Sequence, residues 1–140
     1  MISLRGPVLI VEDDPDIRES LQHLLELHGH QVLVAGNGKE AVELLSRSPR
    51  PAVMVLDMSL PVMDGHRVLT ARSSDETLRA IPVIILSAAM AGMSPRDRAL
   101  YAANYGVAAF LAKPADPDQV LQRVALYGLP TEEPTAGVPV

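Results

Sequence analysis

Several side chains able to do phosphate or metal chemistry stand at the ends of short apolar runs. VLIV (8–11) runs into Glu12, Asp13 and Asp14. AVMVL (52–56) runs into Asp57, PVIIL (82–86) into Ser87, and VAAFL (107–111) is followed two residues on by Lys113. Carboxylates gathered at one place repel one another and resist burial unless a cation neutralises them. Mg2+ suits such a place, because it takes oxygen ligands, keeps several waters and rests on one or two carboxylates plus phosphate oxygens. Lys113 adds a second positive charge and Ser87 a hydroxyl donor. Such a set can hold a PO3 group in transfer, with cations on its equatorial oxygens while a carboxylate attacks in line. Each residue alone has an ordinary reading. Asp14 before Pro15 is an N-cap, Glu12 and Asp13 a solvated strand end, Asp57 a turn residue, Ser87 the end of a strand and Lys113 a snorkelling lysine. Their shared placement argues for one site.

The elements that must position these groups show as an alternation. Val8–Val11, Gln31–Ala35, Ala52–Leu56, Pro82–Leu86 and Val107–Leu111 read as strands. The first helix opens at Pro15, carries an apolar face of Ile17, Leu21, Leu24 and Leu25, and ends at Gly29. Others are expected over Lys39–Ser46, from about Gly65 to Arg72, from the capping box Ser94-Pro95-Arg96-Asp97 to Tyr105 with Gly106 closing it, and from Asp116-Pro117 to about Tyr127. Near-continuous apolar strands alternating with helices predict an α/β fold, a (βα)5 three-layer sandwich with a parallel sheet covered on both faces. Right-handed crossovers put every strand-to-helix loop at one edge, where such folds bind ligands. A strand order of 2-1-3-4-5 sets the acidic cluster beside Asp57. Residues 1–6 read as an N-terminal extension, 7–127 as the domain, and 128–140 as a flexible tail or truncated linker.

Bulk composition narrows the classes. At 140 residues and 48% hydrophobic, the chain suits one domain with a sizeable core. A net charge of −5 argues against broad attraction to nucleic acid, and one Phe without Trp against a base-stacking surface. The absence of Cys excludes disulfides and zinc–thiolate sites and agrees with a reducing cytoplasm. No apolar run reaches membrane-spanning length, and MISLRGP lacks a signal peptide's apolar stretch. His23, His28, His30 and His66 read as surface or half-buried residues. Tyr101 and Tyr105, four apart on one helix face, read as packing or a partner contact.

The motifs V-E-D-D (11–14), L-D-M-S-L-P-V-M-D-G (56–65), L-S-A (86–88) and G-V-A-A-F-L-A-K-P (106–114) make residues 7–127 similar to bacterial response-regulator receiver domains, the CheY-like family. That resemblance implies a doubly wound, flavodoxin-like fold. It makes Asp57 the phosphoacceptor, and makes Glu12, Asp13, Asp57 and the Ser59 carbonyl the Mg2+ set. Lys113 pairs with Asp57 or the phosphoryl group, and Pro114 follows through a cis bond. Ser87 binds a phosphoryl oxygen, Phe110 is the aromatic that moves with it, and Pro61 and Gly65 shape the loop. The implied partners are a sensor histidine kinase or a histidine phosphotransfer domain, an unidentified downstream protein, and a second copy in a homodimer. Neither direct nucleic-acid binding nor a membrane is implied. The reaction is self-catalysed phosphoryl transfer with slow autodephosphorylation, not turnover of metabolites.

The chain departs from the family pattern in three places. The stretch around residues 88–95 is longer than usual, Ala115 replaces a bulky residue after Lys-Pro, and Ser59 and Ala89 offer no carboxylate or amide to orient water. Two other readings compete. A haloacid-dehalogenase-like phosphohydrolase would want a second acid two residues after Asp57, where Ser59 stands. A pseudo-receiver would act as a binding module without phosphorylation.

Overall fold

The computed structural model describes residues 6–47, 49–60, 63–88 and 94–128. The elements follow in strict alternation: β1 (Val8–Val11), α1 (Pro15–Leu27), β2 (Val32–Ala35), α2 (Gly38–Leu45), β3 (Val53–Asp57), α3 (Gly65–Ser73), β4 (Val83–Ser87), α4 (Pro95–Tyr105), β5 (Val107–Ala112) and α5 (Pro117–Gly128). The strands form one parallel sheet in the order β2-β1-β3-β4-β5. The expected fold class and strand order are therefore present. Boundaries shift slightly from expectation. Asp57 and Ser87 are the last residues of their strands rather than the first beyond them, and α5 takes in Gly128.

Period-two alternation splits the strands between two cores. Leu9, Val11, Met54, Leu56 and Ile85 face a layer containing Ala41 and Leu45 of α2 and Val68 and Leu69 of α3, with Tyr101 and Tyr105 of α4 packed alongside. Val8, Ile10, Val55, Ile84 and Leu86 face Leu21 and Leu25 of α1 and Val120 and Val124 of α5. β1 and β3 lie inside the sheet with no solvent on either face, which is why they read as unbroken apolar runs.

The caps are those the sequence announces. The Asp14 carboxylate accepts from the amides of Asp16 and Ile17, with Pro15 in the first turn. Ser94 accepts from the Asp97 amide before Pro95, and Gly106 closes α4 in the left-handed region at φ 66°. Ile17 corrects the expectation for α1. It is 38% exposed, because the first turn of α1 lies beyond the sheet edge, and the buried stripe begins at Leu21. Ile17 instead lines an open groove of about 280 Å³ with Leu86, Pro114, Ala115 and Pro117.

Two buried polar residues run against expectation. Arg72, at the end of α3, is 1% exposed. Its guanidinium donates to the carbonyls of Ile81 at 2.7 and 3.0 Å, Arg79 at 2.9 Å and Tyr105 at 2.6 Å. No carboxylate pairs with it among the described residues. One side chain thus ties α3, the entry to β4 and the end of α4, at the sheet edge opposite Asp57. His30 is buried rather than half-exposed. Burial, reinforced by His28, holds its ring below the usual histidine range.

Two outcomes are expected. Arg72→Leu strands several buried carbonyls, each at a cost of about 1–3 kcal/mol. Chemical denaturation should therefore show a loss of at least about 3 kcal/mol with the slope unchanged. For His30, the folded state prefers the neutral ring. Its contribution is present above the ordinary histidine value of about 6.5 and is lost as pH falls through the lower folded value. The fall in melting temperature between about pH 7.5 and 5.5 should shrink in His30→Gln.

Candidate functional site

The site assembles where β1, β3 and β5 end. Glu12 stays in the ladder through its amide, which donates to the Ala35 carbonyl at 3.0 Å. Its side chain turns inward and is 1% exposed. Its Oε2 accepts from the Asp14 amide at 3.2 Å. Asp13, the next residue, stands exposed between the buried Glu12 and the capping Asp14. Asp57, at the end of β3, is likewise 1% exposed. Its Oδ1 accepts from the Ser59 amide at 3.0 Å and its Oδ2 from Lys113 Nζ at 2.9 Å.

Lys113 joins the two strands' acids. Its ammonium lies 2.9 Å from Asp57 Oδ2 and 3.2 Å from Glu12 Oε1. Its own amide donates to the Ser87 carbonyl at 3.1 Å, which fixes β5 against β4 at this end. The Lys113–Pro114 peptide is cis. Burial pushes the ammonium down, yet the hydrogen bond and charge of Asp57, with Glu12 behind them, raise it overall. Burial raises the Glu12 carboxyl and the Asp57 charge adds to this, against the pull of the Asp14 amide and Lys113.

Ligand atoms of Glu12, Asp13 and Asp57 lie within 4.8 Å of one another. One ammonium faces three carboxylates, so the cluster has room for further positive charge. The fit to a hard cation rests on more than the count. Glu12 Oε1 is buried and has no aligned donor, since Lys113 is near it but not in hydrogen-bonding direction. An oxygen-seeking ion, directly or through a bound water, would satisfy it.

The remaining expected residues fall as follows. Ser87 ends β4 half-buried and continues the alternation of Val83 and Ile85, on the sheet face that also carries Phe110. Gly65 opens α3 where a Cβ would meet Met58 at 2.6 Å from its sulfur and 2.8 Å from its Cα, so a side chain there has no room. Pro61, Ala89 and most of the longer stretch at 88–95 lie outside the described residues. Phe110 pairs with Ile85 across the ladder and meets the Tyr101 ring edge-on at 6.0 Å. The Tyr101 ring lies 4.8 Å from that of Tyr105, tilted by 43°, and its hydroxyl is 3.1 Å from His66 Nδ1. The tyrosine pair is therefore packing between α4, α3 and β5. Burial, with Tyr105 and Asp64 adding to it, pushes the Tyr101 phenol up to about 12.

Sequence reasoning missed Arg18, whose Nη1 donates to the Glu12 carbonyl at 2.9 Å. A basic residue in the second turn of a helix reads as a solvated side chain, and nothing in its spacing marks that bond.

The family model for the response regulator receiver domain matches residues 8–125. The protein PilH of Pseudomonas aeruginosa is 32% identical over 84% of this chain and 93% of its own length. The response regulator Rre1 of Synechocystis is 37% identical over 81% of this chain, which spans only 47% of that protein. Among solved structures, the Francisella response regulator 1452 receiver domain superposes with a TM-score of 0.75 at 30% identity, covering 87% of this chain and 95% of that one. The receiver domain of the sensor histidine kinase PA1611 of P. aeruginosa, which carries a magnesium ion in its active-site cleft, gives 0.73 at 27% identity, with 87% and 96% covered.

The buried, donor-poor Glu12 oxygen makes a trade between stability and cation binding measurable. In Mg2+-free buffer Glu12→Gln should melt a few degrees above the wild type, because it removes a desolvated charge. Added Mg2+ should raise the wild-type midpoint more than that of the variant, as ligand binding to the folded state requires. An identical Mg2+ response in the two proteins would show that Glu12 takes no part.

Proposed function

The chain belongs to the response regulator receiver domain family, and on that premise we propose that Asp57 accepts a phosphoryl group from a phosphohistidine of a partner protein. The observation that carries this reading is the Lys113 ammonium held between Asp57 and Glu12 over a three-carboxylate cluster. Glu12, Asp13, Asp57 and the Ser59 carbonyl would hold Mg2+, which supplies charge neutralisation at the phosphoryl oxygens.

An Asp57 carboxylate oxygen attacks phosphorus, the P–N bond to the histidine ring breaks, and the ring nitrogen keeps the bonding pair. Lys113 leaves its ion pair with the carboxylate for the phosphoryl oxygens, where charge accumulates. The Ser59 amide keeps the carboxylate in one orientation. Ser87 then donates its hydroxyl to a phosphoryl oxygen. Its movement is passed to Phe110 on the same sheet face, changing the surface offered to a downstream protein or a second copy. Water later hydrolyses the acyl phosphate. The donor is a sensor histidine kinase or a histidine phosphotransfer domain, and the setting is the cytoplasm. No helix is long and apolar enough to cross a membrane among the described residues. A dehalogenase-like phosphohydrolase is not favoured, since Asp57-Met58-Ser59 lacks the second acid.

Incubation with acetyl phosphate and Mg2+ should add one phosphoryl group by intact mass, and chelation should abolish it. Asp57→Asn should remain unlabelled, and Lys113→Ala should label at least about tenfold more slowly while still folding. Labelling of Asp57→Asn at unchanged stoichiometry would sink the assignment.

A further inference from the structure

Two candidate cation ligands, Glu12 and Asp13, are neighbours and share one peptide unit. We infer that Arg18 is a positioning residue for the cation site, acting through that peptide rather than by contact with the ion. The inference rests on the reading of Glu12 and Asp13 as ligands.

A peptide unit is rigid and planar, so holding its oxygen sets the direction in which the next Cα leaves. The oxygen of the Glu12–Asp13 unit accepts from Arg18 Nη1 at 2.9 Å. The following unit, Asp13–Asp14, is held through its N–H, which donates to Glu12 Oε2 at 3.2 Å. Asp13 itself is exposed, and its Cα is thus fixed by hydrogen bonds on the peptides before and after it. Without the first of these, the residue leaving the sheet after β1 keeps one restraint.

Arg18 is itself braced. It is half-buried on α1, whose start is fixed by the Asp14 cap and Pro15. Its Nη1 lies 3.5 Å from the place a Cβ on Gly36 would occupy, an ordinary contact distance, so the guanidinium sits beside the loop after β2. That loop is pinned by the Gly36 amide donating to Glu40 Oε1 at 2.8 Å. The Arg18 guanidinium thus reaches the peptide between the two acids from a place beside the pinned loop after β2.

The sign of the effect separates positioning from charge. A guanidinium close to a cation site opposes Mg2+ by like charge, so removing it for electrostatic reasons alone tightens Mg2+ binding. Removing a positioning residue loosens it, and hydrogen-bond partners of metal ligands are worth about 10–100-fold in affinity. A purely structural role lowers the melting temperature and leaves affinity unmoved.

The test is an Mg2+ titration of the full chain followed by NMR amide shifts, run on wild type, Arg18→Ala, Arg18→Lys and Asp13→Ala, with melting curves alongside. We expect Arg18→Ala to weaken Mg2+ by about tenfold. Arg18→Lys, which keeps the charge and a donor, should stay within about threefold of wild type. Affinity in Arg18→Ala equal to or tighter than wild type overturns the inference while leaving the cation site standing. No saturable shift in wild type, or one that Asp13→Ala retains, overturns the ligand reading itself and the inference with it. If Arg18→Ala does not fold, Arg18→Met, which removes both the charge and the donor but keeps the bulk of the side chain, decides the same comparison.

Discussion

Two carboxylates that almost no water reaches, Glu12 and Asp57, share one ammonium. The rest of the molecule is arranged around keeping those three groups together. The acids come from β1 and β3, neighbours at the point where strand order reverses, and the lysine comes from just beyond β5, at the far edge. Only a parallel sheet with all crossovers on the same hand delivers three such distant residues to one rim. Buried like charges are costly, so the sheet must be stable enough elsewhere to hold them, and the fully enclosed β1 and β3 supply that stability.

Alternation along the strands then separates tasks by sheet face. The helices α1 and α5 cover the face that holds Val8, Ile10, Val55 and Leu86. On this side Asp14 caps α1, and Arg18 of α1 holds the backbone of the acidic loop. The opposite face, under α2, α3 and α4, carries Phe110 and the aromatic contacts of Tyr101, Tyr105 and His66. One face is built to fix the chemistry. The other carries rings that meet edge to face.

Much of this was legible in the residues. Strands enclosed on both sides must be apolar throughout, so VLIV and AVMVL announce themselves, and whatever polar residue ends them is conspicuous. Proline after Asp14, Ser94 and Asp116 marks helix starts because its fixed backbone suits that position alone. What stayed hidden depends on distant chain. Arg72 at a helix end looks solvated. It is buried only because the carbonyls of Ile81, Arg79 and Tyr105 converge on it, and no local pattern encodes that. Ile17 fits the helical stripe in sequence, yet the sheet stops short of it. The Arg18 bond to Glu12 is equally a matter of how α1 leans on the sheet.

The helix α4 has no buried residue along its whole length, and residues 94–100 are exposed. Its last carbonyl, at Tyr105, is nevertheless gripped by the deeply buried Arg72 at 2.6 Å. The contacts of α4 with the core come from Tyr101, Ala102 and Tyr105, in its second half, so the start of the helix has little packing to hold it and is the part where local opening costs least. That start lies on the chain segment leading away from Ser87. The anchored end lies at the sheet edge opposite Asp57, so the two ends of α4 are held with unequal firmness.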